Sequence, residues 1–192
     1  GLAEKAVAYR YQAGEQALAL YSPYEAVRHL SRALEVARSA ALDPPPGVYR
    51  ARGQAHEVLG EFELARADFE TALDAARSAL DPALEWRLLI DLGELWAARD
   101  YQRTGEYYRQ ALERARALDD PTATARALNR VGNWHVNAGW PRQSVQYHQE
   151  ALGIFQQLAD QHGMAETHDL LGMAYALGGD MLQSSVPVSY TH

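Results

Sequence analysis

Three asparagines, Asn129, Asn133 and Asn137, stand four residues apart, the spacing that sets side chains along one ridge of a helix. A primary amide offers both a donor and an acceptor, so such a ridge suits holding an extended peptide backbone. The other chemistry-bearing residues form no reactive constellation. Seven histidines are present. His56, His135 and His148 fall at positions of an apolar helical pattern, where a packed neutral imidazole is expected. No His-x-x-x-His or His-Glu-x-x-His spacing occurs, and there is no cysteine, so no metal ligand set is expected. Neither a Gly-x-x-x-x-Gly-Lys-Ser/Thr phosphate loop nor a Gly-x-Ser-x-Gly elbow is present. Glu106 and Glu113 lie on an exposed helical phase and serve solubility. The segment is therefore expected to carry no catalytic residue, no cofactor and no metal.

Composition narrows the partners. The 192 residues carry a formal charge of −7, which disfavours non-specific binding to nucleic acid or to an anionic membrane. No run of 18 or more apolar residues exists, so no membrane-spanning helix is expected. The lack of cysteine agrees with a reducing cytoplasm.

What positions these side chains is an internal repeat. Gly14, Gly53, Gly93, Gly132 and Gly172 recur at intervals of 39, 40, 39 and 40 residues. The pairs Ala33-Leu34, Ala72-Leu73, Ala111-Leu112 and Ala151-Leu152 recur at 39, 39 and 40. Two independent markers with one period indicate a stacked array of duplicated units.

One unit shows its build. Tyr49, Gly53 and His56 fall at i, i+4 and i+7, one stripe of a helix. Leu59-Gly60-Glu61 supplies a left-handed stop. Ala65, Phe69 and Ala72 form the stripe of a second helix, which continues through Leu73, Ala76 and Leu80 until Asp81-Pro82 ends it. A mid-helix glycine costs about 1 kcal/mol relative to alanine, so its recurrence at one phase implies close helix approach. The small residues Ala26, Ala65, Thr104 and Ser144 complete that contact, with Leu30, Phe69 and Tyr108 beside it. His135 and His148 are expected to approach one another across their hairpin. Trp140, before Pro141, is expected to staple a turn, and Gly178-Gly179-Asp180 is expected to form one.

This pattern resembles the tetratricopeptide repeat over nearly all of residues 8–186. In the third unit it is Leu89, Leu92-Gly93 and Trp96, then Thr104, Tyr108 and Ala111. In the fourth it is Leu128, Val131-Gly132 and His135, then Ser144, His148 and Ala151. The fifth begins with His168, Leu171-Gly172 and Tyr175 and stops half made. The first has Gly14, Ala26, Leu30 and Ala33, with Ala17 where an aromatic is usual. Family units are usually 34 residues (helix–turn–helix), so the extra residues here lengthen the second helix and its loop. The third unit is one residue short near Arg99-Asp100.

The resemblance implies an all-α, right-handed superhelical solenoid of helix hairpins. The divisions expected are 1–40, 41–82, 83–121 and 122–160 for four hairpins, then 161–186 for an incomplete fifth. Residues 187–192 read as a non-native tail, because Val188 to His192 match one reading frame of a transposon-end adapter. Partners would bind the concave face lined by first helices, which in this register includes Tyr11, Glu15 and Ile90. The candidate groove contacts are Arg50, Gln54, Glu94, Arg126, Asn129, Asn133, Asn137 and Asp169. The lysines of the family's carboxylate clamp have no counterparts, and Arg50 and Arg126 are the nearby cations. Long units of this kind are similar to those of bacterial multidomain regulators with an ATPase or cyclase switch. The implied function is a cytoplasmic docking or sensor arm of such a bacterial regulator, holding a protein or peptide partner and acting with an adjacent ATPase or cyclase domain. The alternative is sensing of a small-molecule inducer on the same face.

Overall fold

Five of the helices open on proline, at Pro23, Pro46, Pro82, Pro121 and Pro141. The missing N–H of proline costs nothing in a first turn, where that donor has no partner. Asp81, Asp120 and Asp160 cap their helices by accepting from the backbone N–H of Leu84, Ala123 and Gly163, each at 3.0 Å. The computed structural model describes residues 1–183, with side chains as far as Gly178. The tail expected at 187–192 lies outside the described residues.

Among the described residues the chain is all α, with nine helices. They are α1 (Leu2–Ala19), α2 (Pro23–Ser39), α3 (Pro46–Val58), α4 (Phe62–Ser78), α5 (Pro82–Trp96), α6 (Tyr101–Ala117), α7 (Pro121–Asn137), α8 (Pro141–Gln157) and α9 (Gln161–Gln183). They divide into two compact units, Gly1–Thr104 and the residues from Gly105 onward. In the first unit α1 pairs with α2 and α3 with α4, and α5 packs on both α3 and α4. In the second, α7 pairs with α8, and α9 lies against both.

The recurrent glycines work by direct intrusion of a large side chain. A β-carbon at Gly14 would stand 2.5 Å from Leu30, one at Gly53 2.6 Å from Phe69, and one at Gly132 2.6 Å from His148. Each intruding residue lies sixteen positions after its glycine, and all three are fully buried. The small residues Ala26, Ala65 and Ser144, one turn earlier, are also fully buried, as the pattern requires. Burying a side chain the size of Leu30 or Phe69 contributes roughly 1.5–3 kcal/mol, more than the helix propensity that a glycine forfeits.

The turns differ from expectation in three places. Gly60 takes the expected left-handed stop, with φ 74°. Asp81-Pro82 opens α5 and does not end α4, which stops at Ser78 before Leu80 reverses the chain at φ 52°. Ala41, Asp119 and Ala159 take the same left-handed conformation at equivalent points, at a cost of about 1–2 kcal/mol each. Bonds such as Asp81 N–H to the Ala76 carbonyl at 2.9 Å offset that cost. In the third repeat α5 ends two residues sooner after its glycine, and residues 97–100 contain no left-handed residue. There the Trp96 carbonyl accepts from both Arg99 and Asp100, at 2.8 and 2.9 Å. Finally, α9 runs as one helix through Gly178-Gly179-Asp180, where a turn is expected from the sequence.

Candidate functional site

The first unit gathers polar side chains onto the face shared by α1, α3 and α5. Arg50 of α3 makes a two-pronged contact with Asp91 of α5, Nε to Oδ2 at 2.5 Å and Nη2 to Oδ1 at 3.0 Å. Gln54, one turn on from Arg50, hydrogen-bonds the same carboxylate. Only 7% of Asp91 is exposed. Burial pushes its carboxyl above the ordinary value, while the Arg50 and Gln54 bonds and the Arg87 charge pull it back down. The pair therefore fixes the spacing of α3 and α5 and is a rigid element of the face.

Around that pair lie further acidic side chains. Glu57, half-buried on α3, is pushed up to about 7, first by burial and then by the charges of Glu94 and Asp91. Tyr11 of α1 is raised to about 12 by burial and by its bond to Glu15. Its hydroxyl lies so close to Gly47 that a β-carbon there would be 2.5 Å away. Beside Tyr11 and Glu15 opens a cavity of about 360 Å³, floored by Val7, Leu42 and Pro44 and rimmed by Glu4 and Asp43.

The structure thus brings together Arg50, Gln54 and Glu94 from the sequence-derived contacts, with Tyr11 and Glu15 from the wider face. Glu57, Arg87 and Asp91 belong to the same face and were not among the expected contacts. Arg87 is also a nearby cation beyond Arg50 and Arg126. A signal for the pair existed, since Arg50 and Asp91 are opposite charges on successive first helices, about one repeat apart.

The asparagine ridge of the second unit does not hold together. Asn129 is 4% exposed and its amide Nδ2–H donates to Thr167 Oγ1 at 2.8 Å. With Nδ2 so used, its Oδ1 accepts from His148 Nδ1–H at 3.0 Å, and Thr167 donates in turn to the Gly163 carbonyl at 2.7 Å. Asn129 is therefore a buried tie between α7, α8 and α9 and presents no groove contact. Asn133 is half-buried, and Asn137, Arg126 and Asp169 are exposed. The reason is geometric: each four-residue step turns about 40° around a helix, so Asn129 and Asn137 face different surroundings.

The histidines are packed side chains. His56 bonds Glu61 at 2.6 Å beside the Arg52–Asp68 pair, whose two bonds are both 2.7 Å. His135 donates to or accepts from no other histidine in the described contacts; its ring sits among Trp134, Trp140 and Tyr147, and its Nδ1–H donates to the Val131 carbonyl at 2.8 Å. Trp140 meets Trp134 edge-on at 5.7 Å between centroids and so pins the α7–α8 turn. His148 occupies the place that Leu30 and Phe69 fill in the first unit. Its Nε2 and the Oγ of Ser144 are buried without a hydrogen-bond partner, and burial lowers the imidazole to about 4.

No family model matches the sequence, and no curated protein matches it. Solved structures do match in fold. The apo quorum sensor NprR from B. thuringiensis aligns with a TM-score of 0.79 at 17% identity, over 96% of this chain and 51% of that one. A signal-transduction ATPase with numerous domains and a tetratricopeptide-repeat sensor, from Pyrococcus horikoshii, aligns at 0.79 with 14% identity, over 96% of this chain and 31% of that one. A Rap protein complexed with Competence and Sporulation Factor aligns at 0.77 with 13% identity, over 95% and 55%. The chain spans about half or less of each of these proteins. The fold is that of the tetratricopeptide-type helical solenoids. Among the described residues, no helix is long and apolar enough to cross a membrane.

Proposed function

We propose that this chain is a non-catalytic protein-interaction segment, which holds a peptide or helix on the first-helix face of its Gly1–Thr104 unit. The observation that carries this reading is the half-buried Glu57 beside the Arg50–Asp91 pair, raised to about 7. A carboxylate so placed is relieved when a cationic side chain arrives and takes the place of lost water. The preferred partner segment therefore carries an arginine or lysine. The Arg50–Asp91 pair would act as the fixed wall against which that segment is laid. A cytoplasmic docking or sensor arm of a larger bacterial signalling protein agrees with this. One structural neighbour is an ATPase with a repeat sensor, and another is a Rap protein complexed with a factor.

The test is capture of partners by the immobilised chain, followed by anisotropy titration of the captured segments. Glu57→Gln and Glu57→Lys should each weaken a basic segment about fivefold or more, and added salt should weaken it further. If both variants capture and bind every partner as the original does, this face is not the docking surface.

A second reading is favoured by the cavity of about 360 Å³ beside Tyr11, a volume within the range of small-ligand pockets. A small-molecule inducer held there would raise the melting temperature of the chain, and Gly47→Ala, which would push Tyr11 aside, would abolish the rise.

A further inference from the structure

The cavity beside Tyr11 opens where α3 starts late. After α4, the Asp81 N–H closes on the Ala76 carbonyl at 2.9 Å, and α5 begins at the next residue. After α8, the Asp160 N–H closes on the Phe155 carbonyl at 3.0 Å, and α9 likewise begins at once. After α2 the same closure is made by the Leu42 N–H on the Ala37 carbonyl at 2.9 Å, yet α3 begins only at Pro46. The run Pro44-Pro45-Pro46 is the reason. A residue that precedes proline is driven out of the helical region, so Asp43, Pro44 and Pro45 are kept from winding. Pro45 is accordingly extended, at φ −54° and ψ 135°. Leu42 to Pro45 line the space of about 360 Å³ against α1, where a first turn of α3 is missing.

Floor and rim of this space differ in chemistry. The floor is apolar, made by the buried Val7 and Ala37 with Leu42 and Pro44. The rim carries the carboxylates of Glu4, Glu15 and Asp43, and among the described residues no arginine, lysine or histidine lines the space. The charges that reach Tyr11 from Arg50 and Arg87 come from outside it, and Arg50 is already bound to Asp91. Glu4 is engaged by the ammonium of Gly1. Glu15 accepts from the Tyr11 hydroxyl, which leaves acceptor sites on both its oxygens. Asp43 makes no hydrogen bond among the described contacts.

We propose that this cavity binds a small aliphatic ammonium compound, with its hydrocarbon body on Val7, Leu42 and Pro44 and its ammonium held at the rim by Glu15 and Asp43. The assignment rests on the second reading above, that the cavity takes a small molecule, and adds the charge and shape of that molecule. An ammonium carries three donors, enough for both carboxylates and for the Tyr11 oxygen, whose own proton is given to Glu15. An alcohol of the same length has one donor and no charge. A carboxylate would meet three like charges at the rim. A short unbranched chain suits a floor built of aliphatic side chains, and its burial there supplies the apolar part of the affinity.

The test is an NMR titration of the full chain with hexylammonium, hexanol and hexanoate at constant ionic strength. Hexylammonium should shift the amide resonances of residues 7–15 and 42–47 saturably, with an affinity about tenfold above that of hexanol, and hexanoate should not saturate. Glu15→Gln and Asp43→Asn should each weaken hexylammonium about threefold, as expected of ion pairs near the surface, and leave hexanol unchanged. Ala8→Phe projects a ring into the space from an exposed position on α1. It should abolish binding of both while the melting temperature of the chain holds. If hexanol or hexanoate binds as well as hexylammonium, the charge assignment is overturned and the small-molecule reading stands. If none of the three binds saturably, both fall. Hexylammonium binding that survives Ala8→Phe places the ligand elsewhere and also overturns the proposal.

Discussion

His148 makes the stability of its hairpin depend on pH in a way the equivalent Leu30 and Phe69 cannot. The imidazole is lowered from 6.5 to about 4 because burial disfavours its charged form. In the unfolded chain it titrates at the ordinary value, so between these limits the unfolded state binds the extra proton. Stability from the neutral ring is thus fully present above about pH 6.5 and is lost as pH falls toward about 4. The full span is worth about 3 kcal/mol, and at about pH 5 the loss is already about 2 kcal/mol. His148→Phe removes the titration while keeping a ring on Gly132, as Phe69 sits on Gly53. It also leaves the Asn129 Oδ1 without its donor, so absolute stability is a poor readout. The informative quantity is the difference between the two proteins in urea-unfolding free energy, measured at about pH 7.5 and again at about pH 5. The original should lose about 2 kcal/mol more than the variant over that interval. Parallel pH profiles would refute the argument, as would an imidazole resonance of folded His148 that titrates near 6.5.

Gly53→Ala should destabilise the chain by about 1–3 kcal/mol in urea unfolding, because its β-carbon would lie 2.6 Å from the buried Phe69 ring. Glu57→Gln should raise the melting temperature at about pH 8 and lose that advantage near pH 4. The carboxyl is raised from 4.5 to about 7, so its ionisation opposes folding as pH rises. Asp68→Ala strands the Arg52 guanidinium, now held by two bonds of 2.7 Å. It should cost about 3–5 kcal/mol, whereas Arg66→Ala, on an exposed pair network, should cost far less.

Periodicity alone determines the pairing of α1 with α2, α3 with α4 and α7 with α8, their helical stripes and the seats at Gly14, Gly53 and Gly132. Each of these depends on residues within about twenty positions of one another, a distance over which helix geometry is regular. The left-handed stop at Gly60 is legible for the same reason, since glycine is the residue least penalised there. The reversals at Ala41, Leu80, Asp119 and Ala159 carry no such mark, because closing hydrogen bonds hold ordinary residues in a conformation they seldom choose. Site residues were only half legible. Arg50, Gln54 and Glu94 could be placed on a first-helix face from the repeat register, but not what they touch. Tertiary packing decided that Asn129 is buried while Asn137 is exposed, and that Asp91 is clamped while the Glu57 carboxyl is left with a raised pKa. Those outcomes depend on side chains one unit away in sequence, delivered by the stacking of helices. A polar residue's meaning follows from its access to water and to a partner, and neither is written in its own helix.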